Sequence, residues 1–574
     1  MKYSKRYIVF TIMIAMVFLL KFQIFGVEKN QIGQFRGGSL DREVWDPLVA
    51  KDVNEKPIEV VIDNQTYKSD QIPFYMDGDR NIMIPVSMLR DALGCSAFVY
   101  GDRRLLVEKH STSVSMKLGE NTAKKNGEKE KIVSPLTKED GRLYVSLNDL
   151  SRLLNYSCSF DVEKNTVTAS DTDTSALVPA RYDLRERGRV SQIYNQGNYG
   201  TCWAFAATSA LESSLRPKEE DYFSVDHMTM SNSFHANQFD GGEYTMGMAY
   251  LAAWQGPVNE EDDPYGDGKT NNALSAVKHV QQMQIIDGKD YEGIKEAVFQ
   301  YGGVQTSLYS TIRSSQGNSD YYNADTAAYC YIGTQKPNHD VVIIGWDDNY
   351  PRSNFNTPLE GDGAFICQNS WGEDFGEDGI FYVSYYDTNI GTHNVVYTRV
   401  DDANNYDNIY QSDLCGWVGK MGYDSEQIYG ANVYKANGAE ELAAAAFYAT
   451  GPNTEYEIYV VHDFENEVSF SEREKAASGV VKCAGYYTVD FDETFDLQPG
   501  ERYAVMVRLK TPGAKHPMAI EYDTGDKILE GVNLDDGEGY ISLNGKKFMN
   551  VKDKKDCNLC IKAFTRNKEW TKEY

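Results

Sequence analysis

The chain is short of positive charge, of histidine and of ordered cysteine. Its 574 residues carry 57 Lys and Arg against 85 Asp and Glu, a formal net charge of −28. That balance speaks against nucleic acid or an anionic membrane as a partner and for a surface held in solvent. Nine cysteines fall without the spacing of a disulfide framework. Cys95, Cys158, Cys330, Cys367, Cys415 and Cys483 are scattered, and Cys557-Asn558-Leu559-Cys560 lacks the second pair that a zinc site would need, so packed thiols are expected. There is no EF-hand-like loop; Asp535-Asp536-Gly537-Glu538-Gly539 reads as an acidic turn, and no metal or cofactor is expected. The apolar run Tyr7 to Leu20 is short for a membrane span. It follows Lys2, Lys5 and Arg6 and is stopped by Lys21, the pattern of an export signal. Phe22 to Val27 is apolar and no Ala-x-Ala cleavage site is visible, so an uncleaved anchor stays open, and a membrane is expected to be touched only there.

What is present argues for several folded domains: 41% hydrophobic and 12% aromatic residues over this length. The chain is organised around Asn195-Gln196-Gly197-Asn198-Tyr199-Gly200-Thr201-Cys202-Trp203-Ala204-Phe205-Ala206. Ala204, Ala206, Ala207, Ala210, Leu211 and Leu215 form a helix with no Gly or Pro until Pro217, so a Gly-punctuated loop delivers Cys202 to the first turn of that helix. Unpaired backbone N–H groups and the positive end of the helix dipole favour thiolate there, and thiolate is the nucleophile. Gln196 can fold back to stabilise an oxyanion.

This string resembles the nucleophile segment of papain-like cysteine peptidases, and two later strings are similar to that family's other motifs. Asn338-His339-Asp340-Val341-Val342-Ile343-Ile344-Gly345-Trp346 puts a histidine at the head of a β-branched strand, and Asn369-Ser370-Trp371-Gly372 leads on to Gly376, Gly379 and Tyr382. The resemblance implies that Cys202 gives its proton to His339 in a resting ion pair. It implies that Asn369 orients the ring while Trp371 shields that bond, and that Gln196 with the Cys202 N–H binds the oxyanion. Gly241-Gly242 matches the pair where substrate docks as an extended strand. The other seven of the eight histidines have no comparable setting.

Two departures stand out. Tyr199 and Phe239 occupy the positions of a family disulfide, which implies an exported enzyme that manages without it, as in a reducing habitat. Asp340 stands where the family lines its main specificity pocket with a small apolar residue. The carboxylate either favours a basic residue two before the scissile bond or turns away into solvent. The loop Asp347 to Asp362 is expected to connect strands and to bear on the cleft.

The expected architecture is multidomain α+β. Residues 1–27 are a signal peptide or anchor and 28–56 a polar tether. Residues 57–170 form a duplicated module in which Ile84-Pro85-Val86-Ser87-Met88-Leu89 is echoed by Val145-Ser146-Leu147-Asn148-Asp149-Leu150, Leu93-Gly94 by Leu154-Asn155 and Leu106-Val107 by Val167-Thr168. This module resembles the small domain named after the N-terminal region of copper amine oxidases and carries no visible copper ligands; inhibition and anchoring are both open roles for it. Residues 171–179 are a linker suited to nicking. Residues 180–399 are expected to be a two-lobed papain-like domain, one lobe helical and one a β-barrel.

Residues 400–574 read as a β-sandwich, with strands through Tyr456, Ile458 and Val460 and through Tyr503, Val505, Val507 and Leu509, and with Glu440 to Ala446 as a helical stretch. This part resembles the lectin-like domain of certain bacterial surface peptidases. The function expected is an exported or cell-surface cysteine endopeptidase acting on proteins or peptides, with surface carbohydrate as a further partner. The alternative is an adhesin on a silent peptidase scaffold.

Overall fold

The computed structural model describes residues 28–29 and 58–568, apart from 63–64, 69–73, 78–80, 87, 92, 101–102, 111, 140–141, 162–165, 172–177, 313–316 and 553–555. The export signal, nearly all of the tether and most of the 171–179 linker lie outside these residues.

The duplicated module folds around its own symmetry. Strand Ile82–Pro85 pairs antiparallel with Arg142–Ser146, bringing Ile84 opposite Val145, so the two echoed segments are direct partners. Each continues into a helix, Met88–Asp91 and Leu147–Leu154. The second helix is N-capped by the Ser146 hydroxyl, which accepts from the Asp149 N–H at 3.1 Å. Gly94 and Asn155, the matching residues of the two halves, both adopt a left-handed φ, +58° and +61°. Leu89, Leu93, Leu150 and Leu154 meet in one buried core.

The central region has a helical lobe of α1 (Cys202–Leu215), α2 (Val225–Met230) and α3 (Tyr244–Ala252). Its β lobe contains β1 (Lys278–Ile286), helix α4 (Tyr291–Gln300), β2 (Val304–Leu308), β3 (His339–Asp347), β4 (Ala364–Gln368), β5 (Ile380–Ser384) and β6 (Asn394–Asp402). Antiparallel pairings run β1–β6, β2–β3, β3–β4 and β4–β5. Helix α1 is buried all along from Trp203 to Ser213, which suits a central rather than a surface helix. Near its end the carboxylate of Glu212 is buried and pushed up to about 7 by desolvation. It accepts from the Phe223 N–H, Ser191 and Tyr194, tying two loops to the helix.

The sheet does not stop at the edge of the central region. Gln282 to Ile285 of β1 also pair with Tyr487 to Ala484 of β8 (Ala484–Leu497), which lies beside β7 (Glu440–Ala449), and β7 pairs in turn with β9 (Ile561–Asn567). A second, six-stranded sheet packs against this extension to complete the sandwich. In it Tyr456, Ile458 and Val460 sit opposite Leu509, Val507 and Val505.

Two expectations are corrected. Glu440–Ala449 is a strand, not a helix. Its alanines have high helix propensity, but they lie between β8 and β9 with both faces buried, where small side chains pack and tertiary pairing overrides propensity. The loop Asp347 to Asp362 does not border the cleft. It leaves the far end of β3, whose nine residues span about 30 Å at about 3.3 Å each, and it packs Tyr350 and Phe355 against Ala328, Cys330 and Ala364.

Candidate active site

Cys202 opens α1, and no side chain caps that helix: Thr201, at the cap position, points its hydroxyl to Tyr265 Oη at 2.8 Å instead. The first-turn N–H groups are therefore not consumed by a cap. The loop before the cysteine is pinned to the Asn-Ser-Trp segment at several points. The Gln196 N–H donates to Ser370 O at 2.8 Å, the Gly372 N–H to Tyr194 O at 2.8 Å, and Ser370 Oγ to Gln196 Oε1 at 2.7 Å. The last bond fixes which end of the Gln196 amide is which: the oxygen is held by Ser370, and Nε2 is turned to the nucleophile loop, where it donates to Tyr199 O at 2.7 Å. Ser370 and Tyr265, whose hydroxyl also donates to Gln196 O at 2.9 Å, position the site without being legible as its members. Their only signal was proximity to the motifs.

His339 begins β3 and is buried, with Nε2 2.8 Å from Asn369 Oδ1. The same oxygen accepts the Ser370 N–H at 2.8 Å, which identifies it as oxygen. Nε2 therefore carries the ring proton, and Nδ1 is the available base. Trp371 stacks on the imidazole, ring centres 4.6 Å apart and planes at 26°. Helix α1 packs on β3, and backbone N–H groups of Asp340 and Trp203 face the Cys202 sulfur. Burial pushes the Cys202 thiol up to about 12 and His339 down to about 4, with the Asp340 carboxylate raising the thiol further. Each group taken alone is therefore favoured as neutral; an ion pair here rests on the attraction between the two.

Asp340 is 8% exposed, so the solvent-facing alternative is set aside. Its Oδ2 accepts from Gln305 Nε2 at 3.1 Å, Ser307 lies on the same side, and desolvation pushes its carboxyl up to about 6. Glu243, Tyr244 and Tyr397 complete its electrostatic surroundings. Tyr244 in turn packs on His393 at 5.3 Å.

The glycine pair has a steric origin as well as an open face. A Cβ on Gly242 would lie 2.4 Å from Trp203 Nε1, and Gly241 has φ +79°. Tyr199 and Phe239 meet as rings 4.9 Å apart. All nine cysteines are free. Among the described residues no group of three or more His, Cys, Asp or Glu side chains could hold a metal ion, and no helix is long and apolar enough to cross a membrane.

The duplicated module touches the catalytic region well away from this site. Glu108 pairs with Arg187 at 3.1 Å, and the Arg189 guanidinium lies 4.4 Å above the Phe98 ring. Arg189 itself donates to the carbonyl of Arg216, beyond the end of α1. That helix has 14 residues and is about 20 Å long at 1.5 Å per residue, so this contact lies about a helix length from Cys202.

Comparison with known proteins gives three family matches: papain family cysteine protease over residues 178–399, lectin like domain over 409–565, and copper amine oxidase N-terminal domain over 61–175. Among solved structures, the clostridial cysteine protease Cwp84 after propeptide cleavage is 27% identical, with a TM-score of 0.60 over 68% of this chain and 99% of that one. A structure of the cysteine protease and lectin-like domains of Cwp84, a surface layer associated protein of Clostridium difficile, gives the same identity and TM-score over 68% of this chain and 89% of that one. Cathepsin S of Bos taurus is 28% identical over 36% of this chain and 60% of its own length; cathepsin K of Mus musculus is 26% identical over 35% and 58%. The chain thus spans about three-fifths of the curated relatives it matches.

Proposed function

We propose that this chain, whose residues 178–399 form a papain family cysteine protease domain, is an exported, surface-associated cysteine endopeptidase working through Cys202, His339, Asn369 and Gln196. The observation that carries the reading is the clamp on His339: with Nε2–H committed to Asn369 Oδ1, the imidazole has one basic nitrogen left for the cysteine at the head of α1. In the first half-reaction the Sγ proton passes to Nδ1, sulfur attacks the substrate carbonyl, and the carbonyl electron pair moves to oxygen, where the Cys202 N–H and Gln196 Nε2 donate to it. Collapse breaks the C–N bond, and the amine leaves with the proton from His339. Water, giving a proton to His339, then attacks the thioester; the C–S bond breaks and the thiol is restored. Substrate would lie as an extended strand along Gly241 and Gly242. The lectin-like match supports surface carbohydrate as a second partner, and the surface-layer association of Cwp84 supports the same compartment here.

An epoxide directed at papain-like thiols tests the nucleophile. Mass mapping is expected to find the label on Cys202 and not on Cys158, the exposed thiol of the module, with labelling lost in His339→Ala. A folded protein that takes no label would shift the reading to an adhesin.

Asp340 and Gln305 form the polar side of the substrate pocket in this proposal, favouring lysine or arginine two residues before the cut. Because the Asp340 carboxyl is raised to about 6, it is charged above that pH and neutral below. The expected result is a preference of about tenfold for lysine over leucine at pH 8, fading as pH falls through 6 and absent in Asp340→Ala. Equal rates for both peptides at pH 8 would remove Asp340 from the pocket.

A further inference from the structure

A cavity of about 660 Å³ lies where the helical lobe meets the start of the C-terminal domain. One wall comes from α2 and the segment after α3, with His227, Ser231, Trp254 and Gln255; the other includes Asn272 and Tyr406. None of Gln196, Cys202, Gly241, Gly242, His339 or Asn369 lines it. Its volume is that of an ordinary small-ligand site. The lining is rich in uncharged hydrogen-bonding groups, and its acidic member is the exposed Asp407.

The wall is rigid and its hydrogen bonding is incomplete. Trp254 holds φ +57°, a conformation bulky residues rarely adopt, and stacks on His279 with ring centres 3.5 Å apart and planes at 4°. His279 Nδ1 is in turn 2.6 Å from Asn405 Oδ1. Gln255 Nε2 donates to Ser233, and His227 Nδ1 is 2.6 Å from Tyr250 Oη. Three atoms of these groups are left over: Trp254 Nε1, Gln255 Oε1 and His227 Nε2 are buried with no hydrogen-bond partner. Buried polar atoms without partners are rare because each has given up its hydrogen bond to water without replacement. Of the three, the donor and the acceptor on consecutive residues, Trp254 and Gln255, are the complement of an amide, whose oxygen accepts and whose N–H donates; His227 Nε2 is left for a hydroxyl. An anion is disfavoured by Asp407 and by the chain's net charge.

We propose that this junction cavity binds a neutral, N-acetylated saccharide, its acetamido group meeting Trp254 Nε1 and Gln255 Oε1 and its hydroxyls meeting Ser231 and Asn272. The choice of a sugar over another neutral amide rests on the carbohydrate reading of the C-terminal domain, whose family match begins at Ile409, itself a residue of the cavity wall. The site lies between the two domains, but the polar groups named all belong to residues 178–399, so its ligand would be held mainly by the peptidase.

Saturation-transfer NMR and calorimetry on the full chain, with N,N′-diacetylchitobiose and maltose as probes, test this. Chitobiose is expected to bind, and more tightly than maltose. Trp254→Phe, which keeps the stack on His279 but removes the donor, and Ser275→Trp, which fills the cavity from its exposed rim, are each expected to weaken chitobiose by about tenfold or more. Melting temperature and peptide hydrolysis should be unchanged in Ser275→Trp. Chitobiose binding that survives Ser275→Trp would overturn the cavity while leaving a carbohydrate-binding C-terminal domain. Failure of both sugars to bind would remove both ideas. Preference for a capped dipeptide such as N-acetylalanine methylamide over chitobiose would make the site one for peptides and overturn the saccharide assignment.

Discussion

Cys202→Ala is expected to lower hydrolysis of a peptide substrate by about 10⁴-fold or more, to a rate set only by binding and the remaining oxyanion donors. The loss should fall on kcat, because the side chain removed is the one that forms the bond to carbon. The fold should not notice. Alanine is a better helix former than cysteine in the first turn of α1, the position needs no side-chain cap, and the thiol donates to nothing that holds the loop. His339→Ala is expected to cost a similar factor, and the double variant little more than either single one, since nucleophile and base act as a unit. Asn369→Ala should cost less, because it frees the ring without removing the base. A Cys202→Ala protein that keeps even one-hundredth of the activity would show that another residue is the nucleophile.

Removing residues 400–574 is expected to destroy the folded state of the peptidase, not to trim an accessory. Strand β1 is a shared element, paired on one side with β6 and on the other with β8. Arg399, 5% exposed at the end of β6, pairs with Asp490 of β8 at 3.1 Å and with Asp401 at 3.3 Å. Removing the C-terminal domain takes away both carboxylates and uncovers Arg399, and it strips the apolar surface beneath Ala444, Tyr486 and Phe564, part of the same core as α1. A domain is stable by only about 5–15 kcal/mol. A 178–399 fragment should therefore show no cooperative melting transition and should bind a hydrophobic dye, whereas a 178–574 fragment should melt near the full chain. A 178–399 fragment with an intact transition would mean that the shared strand is dispensable.

How much of this was legible depended on the range of the forces involved. The nucleophile helix, the histidine strand and the alternation in Tyr456–Val460 are set by nearby residues, and they could be read from short strings. The echo between Ile84 and Val145 was visible as sequence, but not that the two would pair with each other. Glu440 to Ala446 reads as helix because alanine's local preference is helical, and only the strands on either side of it, distant in the chain, make it part of a strand. The same limit hid Ser370's hold on Gln196, the burial of Asp340 and the docking of Arg189 over Phe98, which are contacts between segments that composition does not connect. The pairing of β1 with β8 lay furthest out of reach, since neither strand alone carries a mark of its second neighbour.

That shared strand also makes the two domains one ruler. With a continuous hydrogen-bonded ladder between them there is no hinge for the peptidase to swing on, and whatever the C-terminal domain grips stays at a fixed distance and angle from the thiol. Selection among protein substrates would then be partly a matter of reach: a bond is cut because it stands at the right height above the anchoring point, and an identical sequence displaced from that height is passed over.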